Sequence, residues 1–218
     1  MQTQDRKEPL KLKLLPLSEY AAVDRDDPLR FYYWPVVGKL YRRRVELCLA
    51  ECTGGKRVLE VGFGSGLSFL NLQELYEEIH GLDLNAPAAQ VAESFRRKGI
   101  ETKLINGSVL QMPYEDGFFD TVLLISILEH LKPQLQQQAF YEISRVLRKG
   151  GQVIYGVPVE RPFMNFAFRM LGFDIRKHHF STEKDVYFAA KGTLEEVRIK
   201  SLKTVMGAVY EVGHFVKS

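Results

Sequence analysis

The sequence predicts a three-layer α/β fold: a seven-stranded, mostly parallel sheet with helices on both faces and an antiparallel C-terminal strand. From residue 57 onward, strand-like and helix-like segments alternate five times, which calls for parallel strands covered on both faces. Two strand-like segments then close the chain with no helix between them. A hairpin of this kind makes the last strand antiparallel.

Short segments rich in apolar and β-branched residues predict the strands. The fourth of them, FFDTVLLISI, has the continuous apolar run typical of a strand buried on both faces. The five expected parallel strands cover residues 57–61, 78–84, 101–107, 118–127 and 152–158. The hairpin is expected at residues 194–202 and 208–217.

Apolar residues three and four positions apart, with Gly or Pro at the ends, predict the helices. Pro133 suits the first turn of one helix, and Ser181 or Thr182 can cap the last. The expected helices cover residues 39–52, 65 to about 76, 87–98, 133 to about 150, and 182 to about 192.

The composition is that of a globular protein: 218 residues, of which 45% are hydrophobic and 26% charged, with a formal net charge of +3. A charge this small does not by itself indicate a nucleic-acid partner. The N-terminus has no apolar stretch of the signal-peptide type, and the longest apolar run is too short to span a membrane. We therefore expect a cytoplasmic protein.

The two cysteines, Cys48 and Cys52, are four residues apart. On a helix their Cβ atoms would lie roughly 5–6 Å apart, whereas a disulfide needs ~3.8 Å. Two thiols also cannot complete a zinc site. We expect both to be buried as small hydrophobic residues, and we predict no metal site.

The glycine cluster in RVLEVGFGSGLSFL indicates a ligand-binding loop after the first strand. A phosphate-binding P-loop needs Lys and then Ser or Thr after its last glycine, but Leu67 and Ser68 follow Gly66 here. The spacing is G-x-G-x-G, which also departs from the G-x-G-x-x-G of dinucleotide-binding folds. The glycines alone do not identify the ligand.

Two acidic residues narrow the choice. Glu60 lies two residues before Gly62, where a carboxylate would repel phosphates but attract a cation. Asp83 ends the second expected strand, and a carboxylate there can accept hydrogen bonds from ribose hydroxyls. Together they predict a cationic, phosphate-free nucleoside.

Four motifs, in this order, resemble those of class I S-adenosylmethionine-dependent methyltransferases: VLEVGFGSGLSF, GLDLN, NGSVLQMPYEDGFFDTVLLISILEHL and RVLRKGGQVIYGVP. The resemblance is greatest to the broad group that contains the ubiquinone and menaquinone methyltransferases, and it covers residues 57–158. It implies a Rossmann-like fold, S-adenosyl-L-methionine as cofactor and S-adenosyl-L-homocysteine as product. The motifs say almost nothing about the methyl acceptor.

The resemblance also implies roles for individual residues. Asp83 would hold the ribose hydroxyls, and Leu84 would lie against the adenine. Ser108 would accept a hydrogen bond from the adenine amino group, although the family commonly has Asp at this position. The Val109 backbone N–H would donate a hydrogen bond to the adenine ring. The residues facing the methionine and ribose would be Glu60, Gly62, Gly64, Gly66, Ile125 and Ser126.

We expect one methyltransferase domain in four parts. Residues 1–52 form N-terminal cap helices, and residues 57–158 form the cofactor-binding core. Residues 159–192 form a substrate-side insert and helix, and residues 193–218 form the closing hairpin.

No residue is obliged to act as a catalytic base, because a sulfonium methyl is already a strong electrophile and alignment can supply roughly 7–11 kcal/mol. If a base is used, His130 is the first candidate, followed by His178 and His179. The alternative for His130 is that it caps or packs against the following helix.

Two segments rich in aromatic and basic residues, 27–44 and 160–182, are the expected acceptor side. Such a mixture suits an amphiphile with an anionic head, or a membrane surface. It also suits cover helices with solvated charges. A contact of Tyr20, Tyr32 or Tyr33 with the sulfonium is a further hypothesis.

The sequence thus predicts a methyltransferase acting on a small molecule, apolar or lipid-like in character. Two alternatives stay open: an RNA methyltransferase, which the mild charge does not favour, and a catalytically silent protein that binds the cofactor and serves as a scaffold.

Overall fold

The computed structural model describes residues 10–22, 27–159, 180–205 and 207–218. Its seven strands form one sheet in the order β3-β2-β1-β4-β5-β7-β6. The strands are β1 (Gly55–Val61), β2 (Tyr76–Asp83), β3 (Thr102–Asn106), β4 (Phe119–Ile125), β5 (Leu147–Pro158), β6 (Glu195–Thr204) and β7 (Gly207–Val216). Only β7 runs antiparallel to its neighbours, so the predicted fold class is confirmed.

The α-helices of the described residues lie on both faces of the sheet. They are α1 (Val37–Leu49), α2 (Phe69–Leu72), α3 (Ala88–Arg96), α4 (Pro133–Val146) and α5 (Glu183–Lys191). Thr182 caps α5: its Oγ1 accepts from the Asp185 N–H at 3.3 Å, while its own N–H donates to the Asp185 carboxylate at 2.8 Å. The structure therefore selects Thr182 over Ser181 as the cap.

The prediction of a long helix from residue 65 to about 76 was wrong. Only the four residues of α2 are helical, with turns on both sides. Gly66 has φ +78°, in the left-handed region, so a regular helix cannot begin before it. Tyr76 already belongs to β2, which ends the segment.

The predicted helix from residue 133 was also too long, because α4 ends at Val146 and β5 begins at Leu147. The pairing of β5 with β4 shifts register between Phe119 and Thr121. This irregularity accommodates the Gly150-Gly151 pair inside the strand rather than at the end of a helix.

Alternate residues of the central strands point to opposite faces and feed two separate core clusters. Val58 and Leu123 pack on one face with α1 and α3, and Leu59 and Leu124 pack on the other with α4 and α5. All four side chains are fully buried. The predicted burial of β4 on both faces is confirmed.

Cys48 and Cys52 are both buried thiols, not joined in a disulfide, as predicted. Burial raises the pKa of the Cys48 thiol well above its ordinary value, so the thiol stays neutral. Its role is packing: Cys48 lies in the core cluster that holds α1 against the sheet.

None of the described helices is both long enough and apolar enough to cross a membrane.

Candidate functional site

The candidate site lies at the carboxyl ends of β1, β2 and β4, where the sequence placed its acidic residues. Strand β1 pairs with β2 on one side and β4 on the other, so Glu60 is level with Gly81 and with Leu123. The order of connection reverses between β1 and β4. A crevice forms at such a reversal, outside the strand ends.

Glycine is needed at the three positions of the loop for different physical reasons. A Cβ on Gly62 would lie 2.0 Å from the Ile127 side chain, and one on Gly66 would lie 2.7 Å from the Phe69 ring. Packing therefore requires both of these glycines. Gly64 has φ +49°, and its nearest neighbour would be an Asp27 carboxylate oxygen at 3.3 Å. Gly64 is thus the one whose backbone lies open to the crevice.

Glu60 is the buried acid of the site. Its side chain accepts a hydrogen bond from the Ser68 hydroxyl, and the residue is 5% exposed. Burial raises the pKa of Glu60 to about 8, and the nearby negative charge of Asp83 adds to the shift. Glu60 is therefore largely protonated at neutral pH, and a nearby cation would favour its ionisation.

Asp83 ties two loops together. Its Oδ1 accepts from the Asn85 and Ala86 N–H groups, each at 2.9 Å, and its Oδ2 accepts from the Gly64 N–H at 3.0 Å. A carboxylate offers about four lone-pair positions, so roughly one stays available. A second ribose hydroxyl would have to compete with the Gly64 N–H.

A third carboxylate, Asp27, was missed by the sequence analysis. Asp27 caps the 3-10 helix Pro28–Tyr33, accepting from the Leu29 N–H at 2.8 Å, and it lies beside Ser65 of the glycine loop. Burial raises its pKa, and the charge of Asp83 contributes. The Asp-Asp-Pro sequence signals the cap, but no local pattern reveals that this cap contacts the glycine loop.

Asp27 and Asp83 both lie next to Gly64, and the charge of Asp83 raises the pKa of Glu60 as well as that of Asp27. We call these three carboxyl groups the acid cluster. Among the described residues, no lysine or arginine contributes to the pKa shifts of Asp27 and Glu60. Concentrated acids without a cation raise each other's pKa. The acid cluster would therefore be stabilised by a positively charged ligand.

Ser126 marks the opposite wall of the crevice. It is the non-glycine residue with a positive φ, 57°, among the described residues. Its N–H donates to the Gly156 carbonyl at 2.8 Å, and its Oγ is 2.9 Å from the Tyr210 hydroxyl. A strained backbone held by such contacts is typical of functional sites.

Arg44 extends this wall from α1. Its guanidinium carbon lies 4.0 Å from the centre of the Tyr41 ring and 5.2 Å from that of Tyr210, and no described group accepts from its Nε. Burial raises the pKa of Tyr210 well above its ordinary value, so its hydroxyl keeps its proton. Ser126, with the buried Tyr210 and the buried Nε of Arg44 behind it, forms what we call the polar wall. Arg44 and Tyr210 were missed, since only the tertiary fold brings α1 and β7 to Ser126.

Four other predicted cofactor residues have clear positions. Leu84 follows Asp83 and is 66% exposed, which leaves its side chain free for a ring. The Ser108 hydroxyl accepts from the Leu110 N–H at 3.2 Å. Val109 is buried in the second core cluster, and Ile125 ends β4 against the first. Their contacts with a cofactor stay predictions.

Of the three histidine candidates, His130 lies within the described residues, and its catalytic role stays a prediction. His130 is exposed at the end of the 3-10 helix Leu128–His130, and its N–H donates to the Ile127 carbonyl at 3.1 Å. His178 and His179 lie outside the described residues, as does most of the predicted insert. The described residues include no cluster of three or more His, Cys, Asp or Glu side chains that could hold a metal ion.

The tyrosines proposed for the sulfonium are engaged elsewhere. The Tyr20 hydroxyl accepts from the Leu15 N–H at 3.2 Å, and the Tyr33 hydroxyl donates to the Leu15 carbonyl. Tyr32 is buried, with its ring edge to face with that of Tyr41 at 5.5 Å. These contacts tie the N-terminal segment to itself and to α1.

The comparisons with known proteins match the part of the chain that contains the glycine loop and the strands around it. A family model described as a methyltransferase domain matches residues 59–155, which run from β1 into β5. This range contains Glu60, Asp83 and Ser126 but not Asp27, Arg44 or Tyr210. The matched core is shared, while the residues that close over it belong to the rest of the chain.

Two curated relatives cover the same core. An uncharacterized methyltransferase of Anoxybacillus flavithermus is 31% identical over 101 residues, 46% of this chain and 46% of the relative. A phthiotriol/phenolphthiotriol dimycocerosates methyltransferase of Mycobacterium ulcerans is 36% identical over 104 residues, 46% of this chain and 37% of the relative. The chain spans less than half the length of these two relatives.

A solved structure shares the fold over a longer stretch. The geranyl diphosphate C-methyltransferase of Streptomyces coelicolor, in complex with Mg²⁺, geranyl diphosphate and S-adenosyl-L-homocysteine, superimposes with a TM-score of 0.68. The superposition covers 91% of this chain and 90% of that chain at 14% sequence identity. This similarity supports the fold.

Proposed function

We propose that this chain, whose core belongs to the methyltransferase-domain family, transfers a methyl group from S-adenosylmethionine to a small-molecule acceptor of apolar or lipid-like character. The single observation that supports this function best is the acid cluster. Asp27 and Asp83 lie next to Gly64, Glu60 is buried nearby under the influence of the Asp83 charge, and no described lysine or arginine lowers the pKa of Glu60. A sulfonium nucleoside with an α-ammonium group supplies the missing positive charge.

The described residues fit this cofactor at several points. The free lone pair of Asp83 suits a ribose hydroxyl, and the exposed Leu84 beside it suits the adenine ring. Ser108 and Val109 remain the proposed partners of the adenine edge. Glu60 and Asp27 face the positively charged portion, where binding favours the ionised carboxylates.

S-adenosylmethionine supplies, when bound, a methyl group on a positively charged sulfur. The task of the protein is then to hold the acceptor in line and to exclude water, which is worth roughly 7–11 kcal/mol. The N-terminal segment contributes to this exclusion, because Asp27 places it directly over Gly64 and Ser65.

The polar wall gives the acceptor its orientation. Arg44 Nε and the Tyr210 hydroxyl are hydrogen-bond donors at neutral pH, and neither is a base. Donors of this kind stabilise negative charge on an oxygen. We therefore favour an acceptor whose nucleophile is already electron-rich, such as a phenolate or an enolate, over one that must lose a proton to the enzyme.

The apolar or lipid-like character of the acceptor is supported by the relatives and by the N-terminal segment. The Mycobacterium relative is named for dimycocerosates, and the Streptomyces structure contains geranyl diphosphate. In this chain the rings of Phe31 and Tyr41 contact each other, with centroids 5.5 Å apart, and Arg44 lies over the Tyr41 ring. Apolar surface next to a cation suits an amphiphile.

The test is transfer of labelled methyl from S-adenosylmethionine to a cell extract separated into lipid, aqueous small-molecule and RNA fractions. We expect the label in the lipid fraction or among the less polar small molecules, and much less of it with Asp83→Ala at a subsaturating cofactor concentration. Label in RNA would instead indicate an RNA methyltransferase. Binding of the cofactor with no label in any fraction would favour the silent scaffold.

A further inference from the structure

The start of α1 carries exposed apolar side chains that no part of the proposed reaction uses. Trp34 is 53% exposed, Val36 81%, Val37 38% and Leu40 39%. We call these four residues the α1 patch. They fall within seven consecutive residues, whereas the other large exposed apolar residues of the described chain are separated along the sequence. Clustered exposure of this kind marks an interaction surface.

Packing of α1 on the sheet does not explain the patch. The second half of the helix supplies the core, with Val45, Cys48 and Leu49 buried. Trp34 touches the ring of Phe31, with centroids 5.0 Å apart, and still has half its surface in solvent. The helix is therefore fully anchored without the α1 patch.

The charges around the patch have one sign. Residues 28–45 contain five basic residues and no acidic one, and one of the five, Arg43, pairs with Glu46 just beyond this range at 3.5 Å. Arg44 turns inward to the tyrosine rings, and Arg42 Nε donates to the Tyr32 carbonyl at 2.8 Å. Arg30 and Lys39 are exposed, and within the described ranges no acidic side chain pairs with either. The surface is apolar at its centre and basic at its rim.

We propose that the α1 patch docks on the surface of a bilayer containing anionic phospholipids. Trp34 and the two valines would enter the headgroup region, while Arg30 and Lys39 meet phosphate groups. A second copy of the chain fits less well, because two copies would bring like charges together. Each basic residue near an anionic surface contributes about fivefold to binding.

The position of the patch gives membrane docking a function that does not depend on which acceptor the protein methylates. The same segment carries Asp27 to the glycine loop and Arg44 to the polar wall. Docking through the α1 patch would therefore hold this segment, and the crevice it covers, at the bilayer surface. Docking itself does not require the proposed methyl transfer.

Trp34 is the chain's single tryptophan, so its fluorescence reports on the patch alone. The full chain is titrated with vesicles of phosphatidylcholine and phosphatidylglycerol, and separately with phosphatidylcholine alone. We expect a blue shift of the emission and quenching by brominated acyl chains with the anionic vesicles, and a weaker effect without them. No shift and no quenching with anionic vesicles would overturn the proposal.

Two variants locate the contact. Val36→Asp changes a largely exposed residue, and we expect it to weaken vesicle binding at least about tenfold. Phe188→Asp is the matched control: it adds the same charge at a residue 67% exposed on α5, on the other face of the sheet, and should leave binding within about twofold. Equal loss in both would overturn the assignment to the patch. A concentration-dependent blue shift without vesicles would do the same, in favour of self-association.

Discussion

Glu51 and Glu60 are both buried, 7% and 5% exposed, yet their environments are opposite. Glu51, just after α1, contacts His214 Nδ1 at 3.3 Å and also pairs with Lys200. The His214 hydrogen bond is the main cause that lowers the pKa of Glu51 to about 2, while burial raises the pKa of Glu60 to about 8. The fold supplies cations to one buried acid and none to the other. A buried acid without a cationic partner, near the carboxyl end of a central strand, indicates that a bound ligand supplies the positive charge.

The largest expected effect is on the pH dependence of stability, through Glu60→Gln. Because the folded pKa of Glu60 lies above the unfolded value of 4.5, its ionisation opposes folding. The free energy of unfolding of the ligand-free protein should fall as the pH rises from about 4.5 to about 8, with an upper limit of ~5 kcal/mol. Urea unfolding across this range should show the slope in the natural chain. The slope should be much smaller in Glu60→Gln, with a remainder from Asp27, whose pKa is also raised. An equal slope in both proteins would exclude Glu60 as its source.

The second effect is on cofactor affinity, through Asp83→Ala. Hydrogen bonds to a charged group are worth roughly 1.5–3 kcal/mol each, so the affinity for S-adenosylmethionine should fall at least about tenfold. The loss is larger if the Gly64 loop loosens when its acceptor is removed. Asp83→Asn, which keeps one carbonyl acceptor, separates the two contributions. An unchanged affinity in a folded Asp83→Ala protein would remove Asp83 from the site.

Glu51 should affect the pH dependence of stability in the opposite direction to Glu60, and Glu51→Gln tests this. The pKa of Glu51 is lowered, so its contribution to stability is present above about pH 4.5 and is lost as the pH falls toward 2. Glu51→Gln should lower stability by roughly 1.5–3 kcal/mol at neutral pH and should flatten the acid limb of the curve. It should leave cofactor affinity unchanged, since Glu51 contacts only protein groups. A loss of cofactor binding in the folded variant would show that the two acids are not independent.

The smallest expected effect is that of Asp27→Asn. This variant tests whether Asp27, in the N-terminal segment, interacts electrostatically with the charge of the ligand. Removing one of three carboxylates should weaken S-adenosylmethionine binding by about three- to tenfold. Binding of S-adenosylhomocysteine, which lacks the sulfonium charge, should weaken less. The comparison is made by calorimetry with both ligands. Equal weakening of the two would indicate that Asp27 only positions the loop.

The sequence was sufficient for what depends on local pattern. The apolar runs located the strands, and the carboxyl ends of neighbouring parallel strands necessarily bring Glu60 and Asp83 together. The motifs that resemble methyltransferases fall largely within residues 59–155, the part of the chain that the methyltransferase-domain model matches.

What the sequence did not reveal depends on long-range packing. Asp27, Arg44 and Tyr210 reach the crevice only because α1 and its preceding segment fold over it, and no periodicity encodes that path. The shortened α2 depends on the positive φ of Gly66. The hydrogen bond between the Gly64 N–H and Asp83 likewise appears only in the tertiary structure.

The most direct test of the acid cluster is calorimetric titration of the purified chain with S-adenosylmethionine, S-adenosylhomocysteine and NAD near pH 7, in buffers of different ionisation enthalpy. We expect micromolar binding of the first two, none of NAD, and release of protons with S-adenosylmethionine as Glu60 ionises beside the bound cation. Binding of NAD alone, or of none of the three, would contradict a crevice built for a cationic, phosphate-free nucleoside.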